Sequence, residues 1–367
     1  MVEFTCDICD AKYKQKGGLT AHKNKKHPVL PTIIPPQNVF VGETEEVTAI
    51  VPEQIDAIEP IEPIQSVVGT PKVSDIETFF RPSERGSNDA TNKLRERILL
   101  LLPIVPMAYL EHPTYGASWR TVRDSWNVII GTIATETTVP AYTSYELEAK
   151  GGRGFHYDLD ISFYDGASLV AKRKIEFKYG GRTIQELPQF LSLQVRKGLL
   201  PMSYDRFYYE NYLDRYLATD DGITEPKPSL ADYLRYASHT KYSVHRFFEQ
   251  LKKRETECAR TTKSRIVNES IRVYLELHGR TINIHEFMKK VKETQEDKIY
   301  VLWSNGRFHT DRLTPSEMSM STFDNIRNGN TIVLLSGSGT TTYHLLLRWR
   351  NHKGILNPAW QIKMKRS

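Results

Sequence analysis

Cysteine is scarce in this chain: three among 367 residues, two of them, Cys6 and Cys9, close together near the N-terminus. An odd, sparse count builds no disulfide framework and suits a reducing compartment, so an intracellular setting in nucleus or cytoplasm is expected. The opening "MVEFTCDICD" lacks the basic and apolar blocks of a secretory leader. Long apolar runs are missing as well. The longest, Ile98 to Leu110, is too short to span a bilayer and is interrupted by Pro103 and Pro106, so no membrane partner is expected. "LSGSGTTTYH", Leu335 to His344, is rich in Gly and Ser but lacks the lysine of a phosphate-binding loop and reads as a turn between strands. His239, His245, His278, His285 and His309 have no ligand-like spacing, and Cys258 stands alone in a charged helix. Thiol catalysis is not expected.

What is present is a mildly basic chain, with a formal charge of +6 and a pI near 8.9, which permits a polyanionic partner without demanding one. Composition divides it into three parts. Residues 1–28 are compact and charged; 29–74 are proline-rich and acidic, with no lasting period, and read as a tether; 75–367 have globular texture. Within the last part, "NDATNKLRERILLLL" and "SWRTVRDSWNVIIGTIA" space their apolar residues as helices do. "RTIQELPQFLSLQVRKGLL" reads as a further helix apart from Pro188, and two basic helical stretches follow between Pro228 and Leu277. The tail, from Lys298 onward, returns to strands.

In the first part, Cys6 and Cys9 are two residues apart, twelve residues separate Cys9 from His22, and four separate His22 from His27. A hairpin can present two thiolates and one helix face two imidazoles, which closes a tetrahedral Zn²⁺ site. A module this small folds on metal binding, worth about 10–16 kcal/mol in comparable peptides. Phe4, Tyr13 and Leu19 stand where its small core needs them. The segment resembles a Cys2His2 zinc finger, which implies a ββα fold, zinc held by Cys6, Cys9, His22 and His27, and contact with DNA.

The most informative stretch is "YDLDISFYDGASLVAKRKIEFKYGG", Tyr157 to Gly181. Leu159, Ile161 and Phe163 alternate with Asp158, Asp160 and Ser162; beyond the Asp165-Gly166 turn, Ile175 and Phe177 alternate with Lys174, Glu176 and Lys178. Period two buries the odd-numbered set and gathers the charged set on the other face. Asp158 or Asp160 then approaches Glu176, and like charges facing each other across a hairpin repel. A divalent cation bound between them removes the repulsion. Carboxylates holding Mg²⁺ beside a lysine suit phosphodiester hydrolysis.

"YDLDISF" followed by "IEFK" resembles the PD-(D/E)XK nuclease superfamily. The resemblance implies an α/β, restriction-endonuclease-like mixed sheet flanked by helices. It implies Glu176 and an upstream Asp as Mg²⁺ ligands, with Lys178 as base or phosphate contact. Asp158 and Asp160 point the same way, and Asp160, directly before the apolar run, is favoured. An acidic residue from the preceding segment, Glu146 or Glu148, and a glutamine beyond, Gln185, Gln189 or Gln194, are candidates to join. The proline usual before the first Asp is absent. The implied activity is Mg²⁺-dependent DNA endonuclease action, aided by the finger, with a homodimer favoured for double-strand cutting. A finger joined to a nuclease resembles proteins of large DNA viruses or mobile elements. The alternative is a non-enzymatic nucleic-acid-binding or virion-associated protein with an inert acidic hairpin. Arg348, Arg350, Lys353, Lys363, Lys365 and Arg366 are candidate phosphate contacts in the tail.

Overall fold

The computed structural model describes residues 69–82, 88–150, 155–219, 222–239, 242–254, 257–351 and 353–367, together with two short backbone segments near the N-terminus. The chain divides into two compact units, Met1–Ile64 and Gln65–Ser367. In the first, β1 (Phe4–Thr5) pairs antiparallel with β2 (Lys12–Tyr13). The four expected zinc ligands, Cys6, Cys9, His22 and His27, lie outside the described residues, as does the tether up to residue 68.

The second unit begins earlier than composition suggests. The Pro71 carbonyl accepts from the Tyr109 hydroxyl at 2.8 Å and the Val73 carbonyl from Trp119 Nε1 at 2.9 Å, which ties the end of the expected tether into the folded body. Four helices follow: α1 (Ile76–Phe80), α2 (Asn88–Leu101), α3 (Met107–Leu110) and α4 (Gly116–Glu136). Both long helices fall where their apolar spacing places them. In α4, Trp119, Val122, Trp126, Ile129, Ile130 and Ile133 make one buried stripe. Each such side chain contributes about 2 kcal/mol by leaving water, far more than helix propensity supplies.

The stripe packs on a mixed sheet of β3 (Ser144–Ala149), β4 (Leu159–Asp165), β5 (Ser168–Tyr179), β7 (Lys298–Ser304) and β8 (Arg307–Asp311), in that order. Every neighbouring pair is antiparallel except β5 and β7. The expected hairpin is β4–β5, with Gly166 at φ +58° in its turn. Leu159, Ile161, Phe163, Ile175 and Phe177 are buried, as alternation predicts. A parallel neighbour needs a long crossover, and 118 residues, Gly180 to Asp297, lie between β5 and β7.

That crossover contains β6 (Leu191–Gln194), then α5 (Tyr204–Asn211), α6 (Leu213–Leu217), α7 (Leu230–Ala237), α8 (Arg246–Lys253), α9 (Glu257–His278) and α10 (Ile284–Gln295). β6 belongs to a second, antiparallel sheet with β12 (Leu356–Arg366), β11 (Thr341–Asn351), β10 (Thr331–Ser336) and β9 (Ser321–Arg327). Here the structure corrects the sequence reading. The helix expected over Arg182–Leu200 is a single 3₁₀ turn, Ile184–Glu186, followed by β6. Leu191 and Leu193 are buried while Gln194 is exposed, and Leu191 pairs with Ile362. Pro188 blocks a continuous helix, and the open edge of β12 offers hydrogen bonds that local spacing does not reveal.

β7 joins the two halves. Ile299, Val301 and Trp303 enter the core under α4, whereas Tyr300 and Leu302 enter the core of the second sheet and its helices. Burial on both faces is what a central strand with a parallel neighbour requires. Among the described residues, no helix is long and apolar enough to cross a membrane.

Candidate active site

The site forms where β4 begins and β5 ends. Leu159 pairs with Ile175, and the Asp158 amide donates to the Ile175 carbonyl at 2.8 Å. Asp158 lies just before the paired residues of β4, with its amide on Ile175 and its carboxylate on Phe177, the two neighbours of Glu176 on β5. Asp158 Oδ2 accepts from the Phe177 amide at 2.9 Å, which fixes the carboxylate against β5. Burial, then the neighbouring Glu176 carboxylate, push the Asp158 carboxyl up to about 6, against the pull of Lys178.

Asp160 is elsewhere. It faces Lys174 in the register, and its carboxylate is held by Lys172 Nζ at 2.8 Å and Lys150 Nζ at 3.7 Å. With only 2 % of its surface exposed, it needs those cations to be buried at all. Glu148, opposite Asp160 on β3, pairs with the same two lysines, and Glu146 is exposed opposite Ser162. The structure therefore brings Asp158, rather than the favoured Asp160, to Glu176, and gathers neither Glu146 nor Glu148 there.

A carboxylate does arrive from a helix, and it is Glu96 of α2. Burial, followed by the charge of Asp158, raises its carboxyl to about 7, with Lys178 opposing and Glu176 adding to the rise. Its neighbour Arg95 sets the position. Arg95 is fully buried, donates to the Phe79 and Arg81 carbonyls and to Asn92, and stacks over the Tyr179 ring at 3.4 Å. Tyr179 directly follows Lys178 and donates its hydroxyl to the Phe80 carbonyl at 2.8 Å. The end of α1, α2 and the end of β5 are thus clamped together, with Glu96 one residue from the clamp. "LRERILL" hides this: an acid between two arginines reads as a solvated face.

Glu176 is flanked by two ammonium groups. Lys178 Nζ pairs with Oε1, and Lys298 Nζ lies 3.4 Å from Oε2. Burial lowers the pKa of Lys178, but Glu176, Asp158 and Glu96 outweigh it and hold the ammonium above the ordinary lysine value. Lys298, at the start of β7 and 6 % exposed, goes the other way, because burial there exceeds the pull of Glu176. The next face-mate on β7, Tyr300, donates to Gln295 Oε1 at 2.7 Å, so α10 supplies a buried glutamine one layer beneath. Gln185 instead accepts from the Arg366 amide, Gln189 is half-buried in the loop before β6, and Gln194 is exposed at the end of β6.

No family model, curated protein or solved structure matches this chain. Among the described residues, no three His, Cys, Asp or Glu side chains form a ready-made cation cage. The donor set nonetheless fits a hard divalent cation: Glu96, Asp158 and Glu176 are oxygen donors, and two of them are pushed toward protonation by burial and mutual repulsion. Positive charge at Glu176 is supplied by Lys178 and Lys298.

Of the tail cations, Arg366 is taken: it pairs with Asp311 at 2.8 Å and Glu317 at 2.7 Å. Arg348 donates to Gln361 at 3.2 Å, and Lys363 and Lys365 are exposed on β12.

Proposed function

We propose that this chain is a metal-dependent phosphodiesterase acting on nucleic acid, an endonuclease of the PD-(D/E)XK type. The observation that carries the reading is Asp158 bonded to the residues on either side of Glu176, with Lys178 two residues on and Glu96 of α2 close enough to feel all three charges. The mixed sheet flanked by helices supports it, because it delivers these groups to one end of β5.

Glu96, Asp158 and Glu176 would hold Mg²⁺. Such an ion, when bound, polarises a phosphate and lowers the pKa of water. The chain's own contribution is positional. The Phe177 amide orients Asp158, and the Arg95 clamp orients α2 and hence Glu96. Lys178, held protonated by three carboxylates, suits stabilising negative charge on a phosphate and does not suit taking a proton. The N-terminal segment supports a zinc finger through its ligand spacing, and a finger on a tether would raise the local concentration of DNA.

The test is incubation with supercoiled plasmid and with single-stranded DNA in Mg²⁺ or Mn²⁺. Cleavage by wild type that is lost in Glu176→Ala, Asp158→Ala and Lys178→Ala, and retained in Asp160→Asn, is the expected result. Persistent inactivity on every substrate would sink the reading. One observation favours a second reading: both oxygens of Glu176 are already neutralised by lysines, as in an inert charged cluster. In that case the chain binds nucleic acid without cutting it.

A further inference from the structure

The acidic centre is one stretch of a longer cleft. Its cavity, about 220 Å³, is lined by Phe155, His156, Asp158, Glu176, Ser192 and Lys298 among others. His156 and Ser192 also line a larger cavity of about 490 Å³, whose walls carry Gln194, Lys197, His239 and Arg350. The shared residues place the two cavities side by side along one track. A third cavity, about 200 Å³, also shares His156 and carries Glu293, Glu296 and Asp297 against Lys174 and Lys298.

The two ways out of the centre therefore differ in charge. One is walled by Lys197, Arg350 and two histidines, with no carboxylate among the described residues; the other carries three carboxylates against two lysines. A polyanion is drawn along the first and repelled from the second. Lys197 and Arg350 are exposed, and neither has an ion pair among the described residues. They come from remote places in the chain, the turn after β6 and the end of β11, and His239 follows α7. Only the second sheet unites them, which is why the sequence pointed to Arg350 alone.

Shape and a flat apolar face narrow the ligand. A cavity near 490 Å³ is of small-ligand size, room for roughly one or two nucleotides, and too small to enclose a duplex, whose major groove alone is about 12 Å wide. Phe155 lines the acidic cavity with 45 % of its surface exposed; Tyr157 meets its ring edge-on and the Lys150 ammonium lies 5.6 Å from its centroid, so an aromatic face and a cation stand together there. Single strands are commonly held by cations along the backbone and aromatic faces under the bases. We infer that the second sheet carries a single nucleic-acid strand along this cleft, its phosphates held by Lys197, Arg350 and His239 and a base stacked on Phe155, with its backbone delivered to Asp158 and Glu176. The strand's fate at the acidic centre rests on the hydrolytic reading; its binding does not.

The experiment is fluorescence anisotropy of the full chain in buffer without added Mg²⁺, with fluorescein-labelled single-stranded DNA, the same sequence as RNA, and the DNA duplex of equal length. The cleft variants are expected to weaken binding of single strands and to leave duplex binding, which the finger supplies, unchanged; the tighter of DNA and RNA identifies the sugar. The double variant Lys197→Ala/Arg350→Ala is expected to weaken binding by roughly tenfold and to reduce the slope of log K against log salt by about 1.4, two phosphate contacts' worth. Phe155→Ala is expected to weaken binding roughly fivefold or more without changing that slope. Lys197→Glu, at an exposed turn, replaces the double variant should the latter melt early. Unchanged single-strand affinity and slope in variants that melt with wild type overturns the inference, as does a loss on duplex equal to the loss on single strands. Intact binding without cleavage overturns only the hydrolytic reading; cleavage with binding indifferent to Lys197 and Arg350 overturns only this one.

Discussion

Asp158 brackets Glu176: its amide donates to the Ile175 carbonyl and its Oδ2 accepts from the Phe177 amide, the residues on either side of Glu176. The native fold thus confines two carboxylates that repel. Glu96 adds a third charge of the same sign.

The first consequence is a stability that rises on mild acidification. Glu96 titrates at about 7 and Asp158 at about 6 in the folded state, against about 4.3 and 3.9 in an unfolded chain. The native state binds these protons more tightly, so their contribution is largest below about pH 4 and is lost as pH rises through about 7. Metal-free protein should therefore melt roughly 3–6 °C higher at pH 5 than at pH 8. Glu317, whose carboxyl burial would raise but Arg366 holds low, acts in the opposite sense at lower pH, so the comparison belongs between pH 5 and 8. Scanning calorimetry of Glu96→Gln checks the assignment: its curve should flatten across that window.

Neutralising the two neighbouring carboxylates should have opposite effects on the fold. Asp158→Asn keeps an oxygen for the Phe177 amide and removes a repelled charge, so metal-free stability at pH 8 should rise by on the order of 1 kcal/mol. Glu176→Gln leaves Lys178 and Lys298 facing each other without their shared partner. Urea denaturation should show it less stable by about 1–3 kcal/mol. Both variants should lack cleavage activity. Equal shifts of the same sign would remove the electrostatic account of the site.

Arg95 should matter to activity without touching substrate. It binds three oxygens and stacks on Tyr179, so Arg95→Lys keeps the charge but loses the planar fork and the stacking. A loss of about 2–3 kcal/mol in stability is expected. If the clamp sets Glu96, the concentration of Mg²⁺ giving half-maximal cleavage should increase, whereas affinity for nucleic acid should not change.

Arg366 and Arg350 make a matched pair. Arg366 bridges Asp311 and Glu317 from the last strand, and Arg350 lines the basic cleft. Arg366→Ala should cost about 2–4 kcal/mol of stability and leave the salt dependence of nucleic-acid binding unchanged. Arg350→Ala should do the reverse. Melting curves beside binding isotherms at two salt concentrations decide between them.

Much of the local structure was legible in the order of residues. α2 and α4 announce themselves through apolar positions three and four apart, and β4–β5 through alternation around Asp165-Gly166, because both periods reflect which side chains a helix or strand turns inward. Glu176 and Lys178 were legible for the same reason: two residues apart on a strand, they share a face. What alternation does not carry is which strand becomes whose neighbour. The β6 stretch reads as helix in sequence because its partner, β12, lies more than 160 residues further on. The sequence favours Asp160 over Asp158 because nothing local shows that Lys150 and Lys172 close on Asp160. Glu96, Lys298 and the Lys197–Arg350 wall join the site only when a helix, a parallel strand and a second sheet converge on β5. Short-range periodicity is a property of the backbone and travels with the sequence; the meeting of charges is a property of packing, and only the tertiary structure decided it.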